Sequence, residues 1–184
     1  MQPITHPIRS FALAAALVLS VGALVACGGE DTKANGIDRF FAEQMIPHHV
    51  SAVDMGKVAL ERAQRPELRA LAENIIASQN REIATMRSAV EGPLAGVEPE
   101  SMGMSMEEMG MGMDHNMLRG ANAFDLAFID MMIPHHEGAI RMARVELERG
   151  KNPEMRDLAR SIMAAQEREI AQMRQWRAAW GQEG

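Results

Sequence analysis

The sequence predicts an all-α protein, a four-helix bundle built from two repeated αα-hairpins. Residues 35–87 align without a gap onto residues 122–174, with roughly half of the positions identical. Within each copy, apolar residues recur at helical spacing over two stretches that a tight turn separates. Because one hairpin cannot bury its apolar faces alone, we expect the two copies to pack together and share one core.

The first helix of each copy begins at a capping signal and contains a proline. Asn35 is followed three residues later by Asp38, which is the spacing of a capping box. Pro47 and Pro134 then interrupt the apolar pattern. Two alternatives stay open for these prolines: each kinks a continuous helix and frees the carbonyl four residues back, or a new helix starts at it.

The second helix of each copy starts at a proline and carries two polar residues on an otherwise apolar face. Pro66 and Pro153 suit the first turn, where the missing N–H is not needed, and Asn152 is a good N-cap. The polar residues on the apolar faces are Gln79, Glu82, Gln166 and Glu169.

Antiparallel pairing places the histidines of the first helix level with these polar residues. If the first hairpin turns around residues 63–66, partner positions sum to about 129, so His48 and His49 lie level with residues 80–81. The second copy places His135 and His136 opposite Gln166 and Glu169 in the same way. Buried imidazoles and carboxylates are costly unless they pair with each other or bind a metal. The sequence therefore predicts a buried polar layer.

Three interpretations of this layer stay open. The first is a His–Glu and His–Gln network that fixes helix register. The second is a metal site with an imidazole from His48 or His135, a thioether from Met45 or Met132, and Glu82 and Glu169 holding the second ring nitrogen. The third is a di-iron centre, which takes Glu-x-x-His where this chain has Met-x-x-His. Thioether and imidazole suit Cu(I), Ag(I) or Cu(II) better than iron.

The segment between the copies is rich in methionine. The chain has 17 Met and no Tyr, and seven of these Met lie in this segment among Gly, Ser and acidic residues with no sustained period. We expect a flexible loop without a packed face, whose mobile ligands close around a soft cation; the alternative is a low-complexity linker. The candidate ligands are Met102, Met104, Met106, Met109, Met111, Met113, His115 and Met117.

The start of the chain resembles a lipoprotein export signal. One basic residue, Arg9, precedes an apolar run over residues 11–26 that is short for a membrane span, and the run ends at Leu24-Val25-Ala26-Cys27, which looks like a lipobox. We expect Cys27, the only cysteine, to be lipidated and to anchor the protein in the bacterial cell envelope on the extracytoplasmic side. The predicted parts are a signal peptide (1–26), a tether (27–34) and a bundle (35–180) made of repeat one (35–90), a Met-rich linker (91–121) and repeat two (122–180).

Charge and motifs exclude several classes of function. Loss of Arg9 with the leader takes the net charge from -6 to -7, and no basic stripe is present, so a nucleic-acid partner is not expected. The chain has no nucleophile elbow, no phosphate-binding Gly loop and no thiol beyond Cys27, so an enzyme is not expected either. A structural or partner-docking envelope lipoprotein is the alternative to metal binding. Homo-oligomers and envelope partners stay open.

The motifs together resemble a known family. The pattern Asp-x-x-Phe-x-x-x-Met-Ile-Pro-His-His-x-x-Ala-x-x-Met occurs over residues 38–55 and 125–142, and Gln-x-x-Glu-Ile-x-x-Met follows in both copies. These motifs are similar to those of the domain-of-unknown-function 305 (DUF 305) family. The resemblance implies a ferritin-like four-helix bundle, frequent export, and copper or silver binding outside the cytoplasm; a di-iron oxidoreductase is less favoured. The residues it points to are Met45, His48, His49, Met55, Met86, Met132, His135, His136, Met142 and Met173.

Overall fold

The computed structural model describes residues 33–112, 114 and 117–182, and the regular structure in these residues is entirely helical. The helices are α1 (Gly36–Arg62), α2 (Pro66–Glu91), α3 (Met117–Gly120), α4 (Phe124–Arg149) and α5 (Pro153–Trp180). Helix α1 packs along α2, α4 packs along α5, and the two hairpins meet mainly through α1 and α4. The predicted all-α fold is therefore confirmed.

The capping signals act as the sequence indicates. The side chain of Asn35 accepts the backbone N–H groups of Ile37 and Asp38, and the Asp38 carboxylate accepts the Asn35 N–H at 2.6 Å, so a complete capping box starts α1. At the start of α5, Asn152 accepts the N–H of Met155 at 3.1 Å. These contacts satisfy N–H groups that a helix start otherwise leaves unpaired.

Two aspartates related by the repeat connect the hairpins to each other. Asp38 on α1 also accepts the backbone N–H groups of Lys151 and Asn152, both at 2.8 Å, in the turn between α4 and α5. Asp125 on α4 accepts the N–H groups of Gln64 and Arg65, both at 3.0 Å, in the turn between α1 and α2. The first helix of each hairpin thus fixes the turn of the other hairpin.

Helices α1 and α4 run through their prolines. Pro47 and Pro134 both lie inside these helices. The alternative in which a new helix starts at each proline is therefore wrong, because both helices are continuous across their prolines. The histidines that follow lie in the middle of a long helix, half-way along the bundle.

The connection from α2 to α4 crosses the whole length of the bundle. It contacts the start of α1 where the Glu100 N–H donates to the Gly36 carbonyl at 2.8 Å, and it reaches the end of α1 where Arg62 donates to the Leu118 carbonyl at 2.7 Å. We call residues 92–123 the crossover segment. Its described residues form no strand, and α3 is its one described helix.

The apolar core has two buried clusters, one at each end of the bundle. At the first end, where α1 begins and α4 ends, the core includes Ile37, Phe41, Met45, Met86 and Met142. At the second end, where α1 ends and α4 begins, it includes Met55, Leu68, Phe128, Met132 and Met173. The predicted shared core is confirmed, because residues of both hairpins belong to each cluster.

Several predictions lie outside the described residues. The signal peptide (1–26), the lipidation site Cys27, Met113 and His115 all fall there. Among the described residues, no helix has the length and apolar character needed to cross a membrane.

Candidate metal centre

Four histidines are buried in the middle of the bundle. His48 and His49 on α1 and His135 and His136 on α4 have no solvent-exposed surface. They lie between the two apolar core clusters, at the level where the Met-Ile-Pro-His-His motifs of α1 and α4 meet. We call these four residues the histidine layer.

The second histidine of each motif is held by a carboxylate of the neighbouring helix. His49 Nε2 lies 2.7 Å from Glu82 Oε2, and His136 Nε2 lies 2.6 Å from Glu169 Oε2. In a neutral imidazole, Nε2 must carry the proton here because a carboxylate oxygen can only accept. The lone pair is then on Nδ1, and among the described residues neither the His49 nor the His136 Nδ1 has a hydrogen-bond partner.

The first histidine of each motif contacts its counterpart in the other hairpin. The His48 and His135 rings lie 3.7 Å apart between centroids, at an interplanar angle of 36°. His48 Nε2 donates to the His135 backbone oxygen at 3.0 Å. The expectation that Glu82 and Glu169 hold His48 and His135 is wrong, since these carboxylates contact the following histidine in each case.

The glutamines of the layer are not paired with the histidines. Gln79 and Gln166 are each only 2% exposed, but Gln79 Oε1 and both polar atoms of the Gln166 side chain lack a hydrogen-bond partner among the described residues. The predicted His–Gln network is therefore wrong. Unpaired buried amides are costly, so these atoms mark the layer as a place where polar groups are available to a ligand.

Thioethers flank the histidine layer on both sides. Thioether cluster A is Met45, Met86 and Met142, at the first end of the bundle, and thioether cluster B is Met132, Met173 and Met55, at the second end. Every member of A has its repeat counterpart in B, 87 residues away. All six side chains are at most 1% exposed. Each cluster combines two methionines of one hairpin with one of the other.

The donor set favours a soft cation. No group of three or more His, Cys, Asp or Glu side chains that could hold a metal ion occurs among the described residues. A di-iron centre needs such a group, so the described residues do not fit one. Buried imidazole Nδ1 atoms and the thioethers that flank their layer instead fit the coordination preferences of Cu(I) and Ag(I).

The crossover segment is packed more closely than the sequence indicates. Met102 and Met109 are buried at 5% and 3% exposure within the first core cluster, and Met104 and Met111 pack partly against it. The expectation that this segment has no packed face is wrong for these residues. Met106 and Met117 are exposed at 54% and 69%. Hydrophobic periodicity could not predict that these methionines are buried, because the buried side chains of an irregular backbone do not recur at a fixed spacing.

Close backbone contacts fix the crossover segment against α4. A Cβ atom on Gly138 would overlap the carbonyl of Met109, and one on Gly110 would lie 2.9 Å from the His135 backbone oxygen. Gly110 also has a φ of 77°, which favours glycine. Arg141 donates to the Glu108 carbonyl at 2.7 Å. The segment therefore covers the histidine layer on the α4 side.

A buried carboxyl that the sequence analysis missed lies near the end of α4. Glu146 has no exposed surface, and neither of its oxygens meets a hydrogen-bond donor among the described residues. Burial, together with the nearby charge of Asp38, raises the pKa of Glu146 to about 9 against the opposing charge of Arg156. The sequence signal is a break in the repeat, because the counterpart of Glu146 is Ala59.

Comparison with known proteins identifies the family. The model of DUF305, a domain of unknown function, matches residues 38–177. The chain belongs to the DUF305 family, as the doubled motif predicts.

Solved structures share the fold. CopM in the Cu(I)-bound form is 39% identical with a TM-score of 0.68, over 78% of this chain and 96% of that chain. CopM has also been solved in Cu(II)-bound, Ag-bound and apo forms. A DUF305 fragment from Deinococcus radiodurans is 28% identical with a TM-score of 0.68, over 79% of this chain and 98% of that chain.

A shorter match joins the chain to a viral protein. The uncharacterized protein L153 of Acanthamoeba polyphaga mimivirus is 39% identical over 54 residues, which is 29% of this chain. The match spans 36% of that relative's length.

Proposed function

We propose that this chain is an exported, lipid-anchored protein that binds copper, or silver, for sequestration or homeostasis. The observation that carries the proposal is the pair His49 and His136. Both imidazoles are fully buried, both are held at Nε2 by a carboxylate, and both have an Nδ1 atom without a hydrogen-bond partner among the described residues. A carboxylate on one ring nitrogen is the usual partner of an imidazole that binds metal through the other.

The thioethers on either side of the layer give the proposed site its preference. Sulfur of Met is a soft donor that suits Cu(I) and Ag(I), whereas Zn(II) and iron take harder ligands more readily. The structures of CopM with copper and silver bound support the same choice, because CopM matches most of this chain.

Export and anchoring rest on the sequence. The lipobox-like Leu24-Val25-Ala26-Cys27 follows a basic residue and an apolar run. Outside the cytoplasm, methionine is a suitable soft ligand because it does not form disulfides. Replacing Cys27 with Ser should release the protein from the membrane fraction or leave its precursor unprocessed. A processed Cys27→Ser protein that stays in the membrane fraction would contradict the anchor.

Binding is tested by titrating the purified protein with Cu(I) under reducing conditions, in competition with a chromogenic chelator. The wild type should withdraw copper from the chelator. The double variant His49→Gln with His136→Gln should withdraw fewer equivalents of copper than the wild type, while its far-ultraviolet circular dichroism stays helical. If the wild type withdraws no copper, the proposed function is wrong.

A structural role is the second candidate, and the same carboxylate contacts favour it. His49–Glu82 and His136–Glu169 each tie the first helix of a hairpin to its second, as a polar network that fixes register would. In that case the double variant should unfold at a lower temperature in the apo state, and the wild type should gain no thermal stability from Cu(I).

A further inference from the structure

Thioether clusters A and B are related by the repeat, yet their surroundings differ. The core cluster that contains A also buries Met102, Met109 and Met155. Among the described residues, the core cluster that contains B buries no methionine beyond its own three. Met155 corresponds to Leu68 in the first copy, and the crossover segment has no second copy. The duplication has therefore given two unequal sets of sulfur donors.

The added methionines are held in place by the backbone. Gly138 allows the Met109 carbonyl to approach α4 so closely that no side chain fits between them, and the Arg141 side chain donates to the preceding carbonyl, that of Glu108. Met109 is thus positioned by contacts that its own side chain does not make.

The methionines of the crossover segment differ in exposure. Met106 is 54% exposed, Met104 and Met111 are half-buried, and Met109 is 3% exposed. A soft cation arriving from solvent would therefore meet an exposed thioether a few residues from a buried one.

The carboxyl content of the two ends differs as well. Glu146 lies one helical turn beyond Met142 on α4, and both side chains are fully buried. The corresponding residue one turn beyond Met55 is Ala59. Among the described residues, the first end therefore holds a fully buried glutamate that the second end lacks.

We propose that thioether cluster A, with Met102 and Met109, is a separate thioether site that takes up the first equivalent of Cu(I) or Ag(I), and that thioether cluster B binds the same ions more weakly. This inference rests on the proposed function, because it names where the soft cation binds first. The additional buried sulfurs can complete the coordination shell of a low-coordinate soft ion.

Titration of the full chain with Ag(I) tests the role of the crossover methionines. The test variant is Met102→Leu with Met109→Leu, and the matched control is Met131→Leu with Met163→Leu, which changes two half-buried methionines that belong to neither thioether cluster. Leucine keeps the side-chain volume and removes the sulfur. The buried pair should weaken the tightest Ag(I) step by roughly tenfold or more. The control pair should leave that step unchanged, and equal effects of the two variants would overturn the inference.

A second measurement uses the wild type, so that the inference can be tested even if the Met102→Leu with Met109→Leu variant does not fold. Methionine methyl groups labelled with carbon-13 are followed by NMR during Ag(I) addition. The methyl signals of Met102, Met109 and cluster A should shift with the first equivalent, before those of Met132 and Met173. Simultaneous shifts of both clusters, or an earlier shift of cluster B, would refute the unequal sites while keeping the proposed function. No Ag(I) or Cu(I) uptake at all would refute both.

Discussion

His49 Nε2 and Glu82 Oε2 lie 2.7 Å apart across the first hairpin, and the repeat reproduces this contact at 2.6 Å between His136 and Glu169. Because each carboxylate fixes Nε2 as the donor, each imidazole keeps Nδ1 as its basic atom. Two such atoms lie in a layer that buried thioethers flank on both sides. The duplication thus supplies two copies of one His–Glu arrangement.

The carboxylates should control metal affinity without binding the metal themselves. The double variant Glu82→Gln with Glu169→Gln should lower Cu(I) affinity by roughly 10- to 100-fold, the usual effect of removing a carboxylate behind a metal-binding histidine. Competition with a chromogenic Cu(I) chelator measures this. Glu73→Gln on the exposed side of α2 is the control and should change nothing. An unchanged affinity in the double variant would mean that His49 and His136 do not bind the metal.

The reciprocal aspartates should contribute strongly to folding stability. Asp38→Asn places an amide N–H₂ next to backbone N–H groups of Asn35, Lys151 or Asn152, so at least one donor loses its acceptor. We expect the free energy of unfolding to fall by about 1 to 3 kcal/mol for each unpaired group, as measured by urea denaturation.

Two further variants serve as a parallel test and as a control for this prediction. Asp125→Asn should cause a similar loss, because Asp125 holds the other turn through two N–H groups. Asp54→Asn should have little effect, since Asp54 is exposed and pairs only with Lys57 among the contacts described. Equal stability of the Asp38 and Asp54 variants would show that the turns do not depend on these carboxylates.

Glu146 should make stability fall as the pH rises. Its pKa is raised from 4.5 to about 9 in the folded protein, mainly by burial. Between these values the folded state keeps a proton that the unfolded state has lost, so raising the pH across this window favours unfolding. Glu146→Gln removes the titrating group and should flatten this dependence. Melting temperatures of both proteins across the window test it, and parallel curves would contradict the prediction.

The contact between Gly138 and Met109 should hold the crossover segment in place. Gly138→Ala puts a Cβ atom where the Met109 backbone lies, so the segment must move, at a cost of about 1 to 3 kcal/mol. Limited proteolysis should then cleave near residues 105–112 faster than in the wild type. Gly112→Ala is the matched control, because its Cβ would have no contact closer than 3.5 Å. Equal cleavage of the two variants would show that the contact does not fix the segment.

Sequence reasoning predicted contacts within a hairpin because helix geometry determines them. Once the turn position is set, antiparallel pairing places His49 level with Glu82 without knowledge of any other helix. The contact of His48 with His135 depends on how α1 and α4 cross, which a single hairpin does not determine. For that reason the pattern gave the correct level of the layer and the wrong histidine for each carboxylate.

Two other features depend on tertiary structure. Burial of Met102 and Met109 follows from the path of the crossover segment along the bundle, and an irregular segment gives no periodic signal of its buried side. Glu146 fits in the core because Gly150 leaves space beside it, whereas the first copy has Ala59 and Ala63 at these positions. A comparison of the two copies position by position would have marked this difference.

Competition between Cu(I) and Zn(II) for the wild type and for the double variant Met45→Leu with Met132→Leu tests the soft-metal site most directly. Leucine preserves the volume of both buried side chains, so the melting temperature of the metal-free protein should change little. The wild type should prefer Cu(I), and the variant should lose that preference at the histidine layer, because the imidazole nitrogens of each Met-Ile-Pro-His-His motif remain and its thioether does not. Equal preference for Cu(I) in the two proteins would contradict a soft site at the Met-Ile-Pro-His-His layer.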